Sequence, residues 1–149
     1  INFVGMKHLN SISEIYLKRD QEMFLLFRKA KRMVEYPTTM AKICDYIAKM
    51  PASCYYLADS TAYRYVCKRI KGEKPKFGKY QAMKEKLFEA FYQDFLRLRQ
   101  MEQYKEYNTK HLVYVCLDLP APNMGMAPRY IQMKISNYFR NKKTSFITR

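Results

Sequence analysis

Six prolines, at positions 37, 51, 75, 120, 122 and 128, limit how long any regular element of this 149-residue chain can be. Proline lacks a backbone N–H and clashes with the preceding turn, so a helix stops before it or begins with it. Between these stops apolar residues recur at steps of three and four, the period of a helix with one buried face. Ser11 and Glu14 have the spacing of a capping box. With Ile12, Ile15, Tyr16, Met23, Phe27, Ala30 and Val34 they predict a helix from 11 to about 35, closed by Pro37. Thr38 or Thr39 caps a second helix with Met40, Ile43, Cys44 and Ile47 on one stripe, ended by Pro51. The segment from Pro51 to Ala58 is apolar for a loop and is expected to pack inward. Asp59 or Ser60 opens a third helix with Ala62, Tyr63, Val66, Cys67 and Ile70 inside and Gly72 just past its end.

A hinge at 73–76 precedes what reads as the longest helix, about 77–107, on which Tyr80, Met83, Leu87, Phe91, Phe95, Leu98 and Met101 form the apolar stripe. His111 to Leu117 is rich in β-branched and aromatic residues and predicts one short strand. A lone strand is unstable, so it must find a partner, and an unpaired edge points to a homo-oligomer or larger complex. A loop with Pro120 and Pro122 leads to a last helix, with Pro128 at its first position and Ile131, Ile135, Tyr138 and Phe139 as its stripe. The expected fold class is mainly α: a helical bundle with a helix-turn-helix-like pair, one long helix and one short strand. It forms one domain over 6–143. Residues 1–5 are set aside as lying upstream of a natural start at Met6, and 144–149 as a tail.

Two segments echo one another. Pro51-Ala52 aligns with Pro120-Ala121, Leu57-Ala58 with Met126-Ala127, and Val66 with Ile135. As a local device this makes sense, because proline ends one element and its apolar turn docks beneath the next helix. The Pro51-Ala52-x-x-Tyr55-Tyr56-Leu57 segment, the Ala62-Tyr63-Arg64 helix after it and the Pro120-Ala121-Pro122 repeat resemble small basic proteins of bacterial mobile elements and phages, over roughly 38–140. The resemblance implies a role linked to DNA or RNA and transfers no site residue.

Charge points the same way. The chain carries 28 Lys and Arg against 13 Asp and Glu, a net charge of +15, beyond the ~2–8 that solubility asks of a small domain. Residues 108–149 hold seven basic side chains and one acidic. Two stretches are most one-sided. Arg64, Lys68, Arg69, Lys71, Lys74 and Lys76 are interrupted only by Glu73, and nothing acidic interrupts Arg129, Lys134, Arg140, Lys142 and Lys143. Phosphate backbones reward such clusters, because each neutralised phosphate releases counterions. If the second and third helices form a helix-turn-helix, Ser60, Thr61 and Arg64 face a major groove, with Lys68 and Arg69 reaching bases or phosphates. The connection, Pro51 to Ala58, is longer than the usual turn of that motif. Tyr63, Tyr65, Tyr130 and Tyr138 stand beside cations and could stack single-stranded bases, although tyrosine at helical spacing also serves as core.

Catalytic patterns are missing from the sequence. The four glycines are too scattered for a phosphate loop, carboxylates are dispersed, and His8 and His111 are far apart. Cys44, Cys54, Cys67 and Cys116 make no C-x-x-C pair and read as reduced. Cys116 and His111 would lie on opposite faces of a strand. No run reaches the ~20 apolar residues of a membrane span, and no secretory signal opens the chain. The expectation is therefore a cytoplasmic, non-catalytic nucleic-acid-binding protein without metal or cofactor, favouring double-stranded DNA over RNA. It would be an accessory or regulatory factor of a phage or mobile element. The alternative is a structural or assembly subunit of such a complex, binding an acidic protein or nucleic acid.

Overall fold

The computed structural model describes residues 12–147, with side chains described to 141. Six helices follow in order: α1 (Ile12–Met33), α2 (Met40–Lys49), α3 (Asp59–Ile70), α4 (Ala82–Arg99), α5 (Thr109–Leu117) and α6 (Pro128–Ile147), with a 3₁₀ turn at Glu102–Tyr104 between α4 and α5. The mainly α class and the proline boundaries are as the sequence predicts. The Ser11 end of the expected capping box and His8 lie outside the described residues.

Three expectations are corrected. The strand at 111–117 is α5, whose start is capped by Asn108 accepting from the His111 amide at 2.8 Å. Leu112, Val113, Val115, Cys116 and Leu117 are all buried. A helix apolar on every side loses its period, and the run then reads as a strand. With the strand gone, so is the unpaired edge that argued for an oligomer. The helix expected over 77–107 is confined to 82–99, and α1 is longer. Tyr80, at the end of the expected stripe, is 83% exposed. Finally, α6 runs through Ile147 without a break at 143.

The helix-turn-helix-like pair is not seen as a unit. In that motif the two helices brace one another. Here α2 packs on α1 and α6, while α3 packs on α5 and α4.

The reason is a repeat. Thr39 caps α2 by accepting from the Lys42 amide at 3.2 Å, and Asn108 caps α5 in the same way, 69 residues later. At the same offset buried Ile43, Cys44, Ile47 and Ala48 correspond to Leu112, Val113, Cys116 and Leu117, and Ala62 and Val66 correspond to Ile131 and Ile135. Arg19, Met23, Phe27 and Ala30 of α1 match Leu87, Phe91, Phe95 and Leu98 of α4 one residue out of that register. The chain is thus two three-helix halves.

Their centres are joined by an antiparallel bridge. The Ala52 amide donates to the Ala121 carbonyl at 2.9 Å, and the Ala121 amide donates to Ala52 at 3.0 Å. A reciprocal pair between equivalent residues sets a local two-fold axis. The third helices are exchanged across it, α3 lying on the second half and α6 on the first.

Among the described residues two glycines hold positive φ. Gly72 (φ 88°) ends α3 in a Schellman motif, its amide donating to Arg69 O and that of Glu73 to Lys68 O, both at 2.9 Å. Gly125 (φ 75°) presses on α4, where a Cβ would stand 2.9 Å from Leu87 Cδ2.

Gly125→Ala should therefore lower unfolding free energy by about 3 kcal/mol and Gly72→Ala by about 1 kcal/mol, measured by urea titration. Helix exchange further predicts that cleavage at a protease site inserted after Lys76 leaves both halves together in gel filtration with helicity unchanged. Separation into two independently folded pieces contradicts the exchange.

Candidate nucleic-acid interface

On α3, Ser60, Arg64, Lys68 and Lys71 step by four, four and three, and all are exposed, opposite buried Ala62 and Val66. Thr61 is exposed beside them, and Lys74 and Lys76 extend the cations into the hinge. Lys74 also lines a cleft of about 530 Å³ with Lys86, Glu85 and Glu89, so acids interrupt the charge there.

Arg69 is turned inward, its side chain 15% exposed. Its guanidinium donates to Tyr65 Oη at 2.9 Å, pairs with the Glu89 carboxylate of α4 and lies 4.5 Å from the centre of the Tyr92 ring. Hydrogen bonding to Arg69 holds the Glu89 carboxyl below the usual carboxylate range, against the opposing effect of burial. This arginine ties α3 to α4.

The other exchanged helix has a matching tie. Lys134 of α6 reaches the Asp20 carboxylate at 3.3 Å and is half-buried. Burial disfavours its charge, but Asp20 and Tyr130 together outweigh this and its pKa is raised. Asp20 also takes Arg19, at 3.2 Å. Arg19 is the surprise, a buried arginine where α4 has Leu87. It lies 4.3 Å from the Tyr16 ring centre and 5.5 Å from that of Tyr130, and donates to Tyr130 Oη at 3.4 Å. Its place on the apolar stripe, four residues after Ile15 and four before Met23, is the sequence signal for its burial. A cleft of about 430 Å³ opens beside it, lined by Tyr16, Tyr80, Lys84, Met126 and Tyr130, and among the described residues no carboxylate, thiol or imidazole lines it.

Arg129 and Arg140 are exposed on α6, and the Lys142 and Lys143 side chains lie outside the described residues. The α3 stripe has only a partial counterpart on α6. Lys71 corresponds to Arg140, but Arg64 and Lys68 correspond to Met133 and Asn137. The two sequence clusters thus belong to opposite halves, and the α3 stripe is the richer in charge.

Buried reactive groups are held protonated. Cys116 donates to the Phe91 carbonyl at 3.5 Å, and burial pushes its pKa up. Tyr55 donates to Asp94 at 2.6 Å, its pKa raised by burial and then by that carboxylate. All four cysteines are free thiols. Among the described residues no group of three His, Cys, Asp or Glu could hold a metal ion, and no helix is long and apolar enough to cross a membrane. Comparison of the chain with protein-family models, with curated proteins and with solved structures gives no match.

Arg69→Ala should cost about 2 kcal/mol in urea unfolding, since it strands Glu89 at the α3–α4 contact, whereas Arg64→Ala stays within about 0.5 kcal/mol. The depressed Glu89 pKa adds stability that is present above its unfolded value of about 4.3 and lost as pH falls through the folded value. The stability difference between wild type and Glu89→Gln should therefore shrink below pH ~4 in unfolding curves taken across that range.

Proposed function

We propose that this chain is a non-catalytic nucleic-acid-binding protein, with double-stranded DNA as its foremost ligand. The observation that carries the reading is the exposed stripe Ser60, Arg64, Lys68 and Lys71, continued by Lys74 and Lys76, on a chain of net charge +15. Like charges at that density repel one another, and a chain of phosphates relieves the repulsion while releasing its own counterions. In this reading α3 is the recognition helix, with Ser60, Thr61 and Arg64 toward the groove and Lys68 and Lys71 on the backbone. The work of Arg69 is to hold that helix in place. The resemblance to mobile-element and phage proteins supports an accessory or regulatory role linked to DNA or RNA.

A second reading has its own support. Leu17, Leu25 and Met33 of α1 are each more than half exposed, which suits an assembly subunit that buries them against an acidic protein. Light scattering distinguishes the two, since a large oligomer that ignores DNA at low salt favours assembly.

For the first reading, duplex affinity measured by fluorescence anisotropy should fall with log salt at about −0.9 per phosphate neutralised. Arg64→Ala/Lys68→Ala/Lys71→Ala should fold normally, weaken binding by about tenfold or more and flatten that slope. Absence of binding by the wild type at low salt overturns the reading.

A further inference from the structure

Four contacts align α6 with α1 in parallel. Tyr130 meets Arg19, Lys134 meets Asp20, the Tyr138 ring lies 4.4 Å from Phe24, and the Phe139 ring lies 5.9 Å from Phe27. The two helices therefore finish at the same end of the molecule. The last turns of α1 bring Arg28, Lys29, Lys31 and Arg32 there, all exposed, and α6 adds Arg140. No Asp or Glu occurs from Met23 to Val34 or anywhere in α6. Exposed Glu35, just past the end of α1, is the acid nearest to this positive surface along the chain, whereas the neighbours of the α3 stripe include Glu73, Glu85 and Glu89. In the sequence the surface is hidden, because Glu14, Asp20, Glu22 and Glu35 dilute the N-terminal count and its two parts are more than a hundred residues apart.

The same end carries accessible rings. Tyr138 and Phe139 are 43% and 45% exposed although they pack on α1, and Tyr36, in the loop just past the end of α1, is 94% exposed. Tyr138 and Phe139 neighbour each other and the rings of α1, and a cation lies next to that cluster. Lys31 Nζ stands 4.6 Å from the centre of the Phe27 ring, which in turn meets Phe139. Cations alone suit any polyanion. Cations interleaved with open aromatic faces suit phosphates whose bases are unpaired, since a base inside a duplex has no free face to stack.

We propose that the α1–α6 end is a binding surface for single-stranded nucleic acid, with Arg28, Lys31, Arg32 and Arg140 on phosphates and Tyr36, Tyr138 and Phe139 against bases. The proposal rests on the nucleic-acid reading above and adds to it a second surface and a second strand state. The α3 stripe serves the duplex, and this end serves an adjoining single strand.

The probes are a 20-nucleotide oligo(dT) and a mixed-sequence duplex of about the same length, read by anisotropy at low salt. Arg28→Ala/Lys31→Ala/Arg32→Ala/Arg140→Ala should weaken oligo(dT) binding by about tenfold or more. A control that removes the same charge elsewhere, Lys18→Ala/Lys49→Ala/Lys79→Ala/Lys110→Ala, should weaken it less than about threefold. Tyr36→Ala, which removes a side chain open to solvent, should weaken oligo(dT) about threefold and leave the duplex unchanged. Equal losses in the two quadruple variants overturn the proposal, because net charge and not this surface then governs binding. A wild type that binds the duplex but not oligo(dT) also overturns it while leaving the nucleic-acid reading intact. Binding to neither overturns both.

Discussion

The two hydrogen bonds between Ala52 and Ala121 hold the centre on which the remaining elements are arranged. Both residues are buried, so their amides and carbonyls have no water to turn to and must satisfy one another. Each sits where proline has ended one helix and the apolar turn drops beneath the next. Joining the two turns back to back leaves α2 against α6 and α5 against α3, so that each third helix lies on the opposite half. Neither half encloses its own third helix, and the core is continuous only when both are present.

Each exchanged helix is latched by the same chemistry in a different arrangement. On one side Arg69 of α3 meets Glu89 and the rings of Tyr65 and Tyr92. On the other, Lys134 of α6 and Arg19 of α1 share Asp20, with Arg19 between the rings of Tyr16 and Tyr130. A guanidinium tolerates burial when its donors find a carboxylate and its faces find aromatic rings. Part of the large positive charge is thus structural, and only the remainder is offered to a partner. That division removes Arg69 and Lys134 from the simplest picture of a phosphate-gripping surface and leaves the α3 stripe and the α1–α6 end.

Local signals made much of this legible in the amino-acid order. Pro37, Pro51 and Pro128, the cap at Thr39 and Gly72 set helix ends within a residue or two, because each acts through its own backbone. The inward-packing turn at Ala52, Tyr55, Tyr56 and Leu57 was also legible, since apolar side chains in a loop have nowhere else to go. The β-rich run at 111–117 misled because a helix buried on all sides has no polar face to reveal its period. On α3 the spacing puts Tyr63 inside, whereas Tyr65 is the buried one, because an aromatic at either position fits the stripe and only the ring of Phe88, 4.9 Å from Tyr65, decides between them.

What the sequence determined by itself was the mainly helical class, the helix limits that proline and caps set, and the excess of positive charge, all properties that depend on neighbours along the chain. Tertiary structure alone decided which helix each face meets, which partners the inward arginines find and which cations share a surface. The echo of Pro-Ala segments shows only a recurring device in one dimension. It becomes a two-fold axis once two alanines far apart in the chain satisfy each other's backbone, and a pairing over that distance leaves no trace in local propensity.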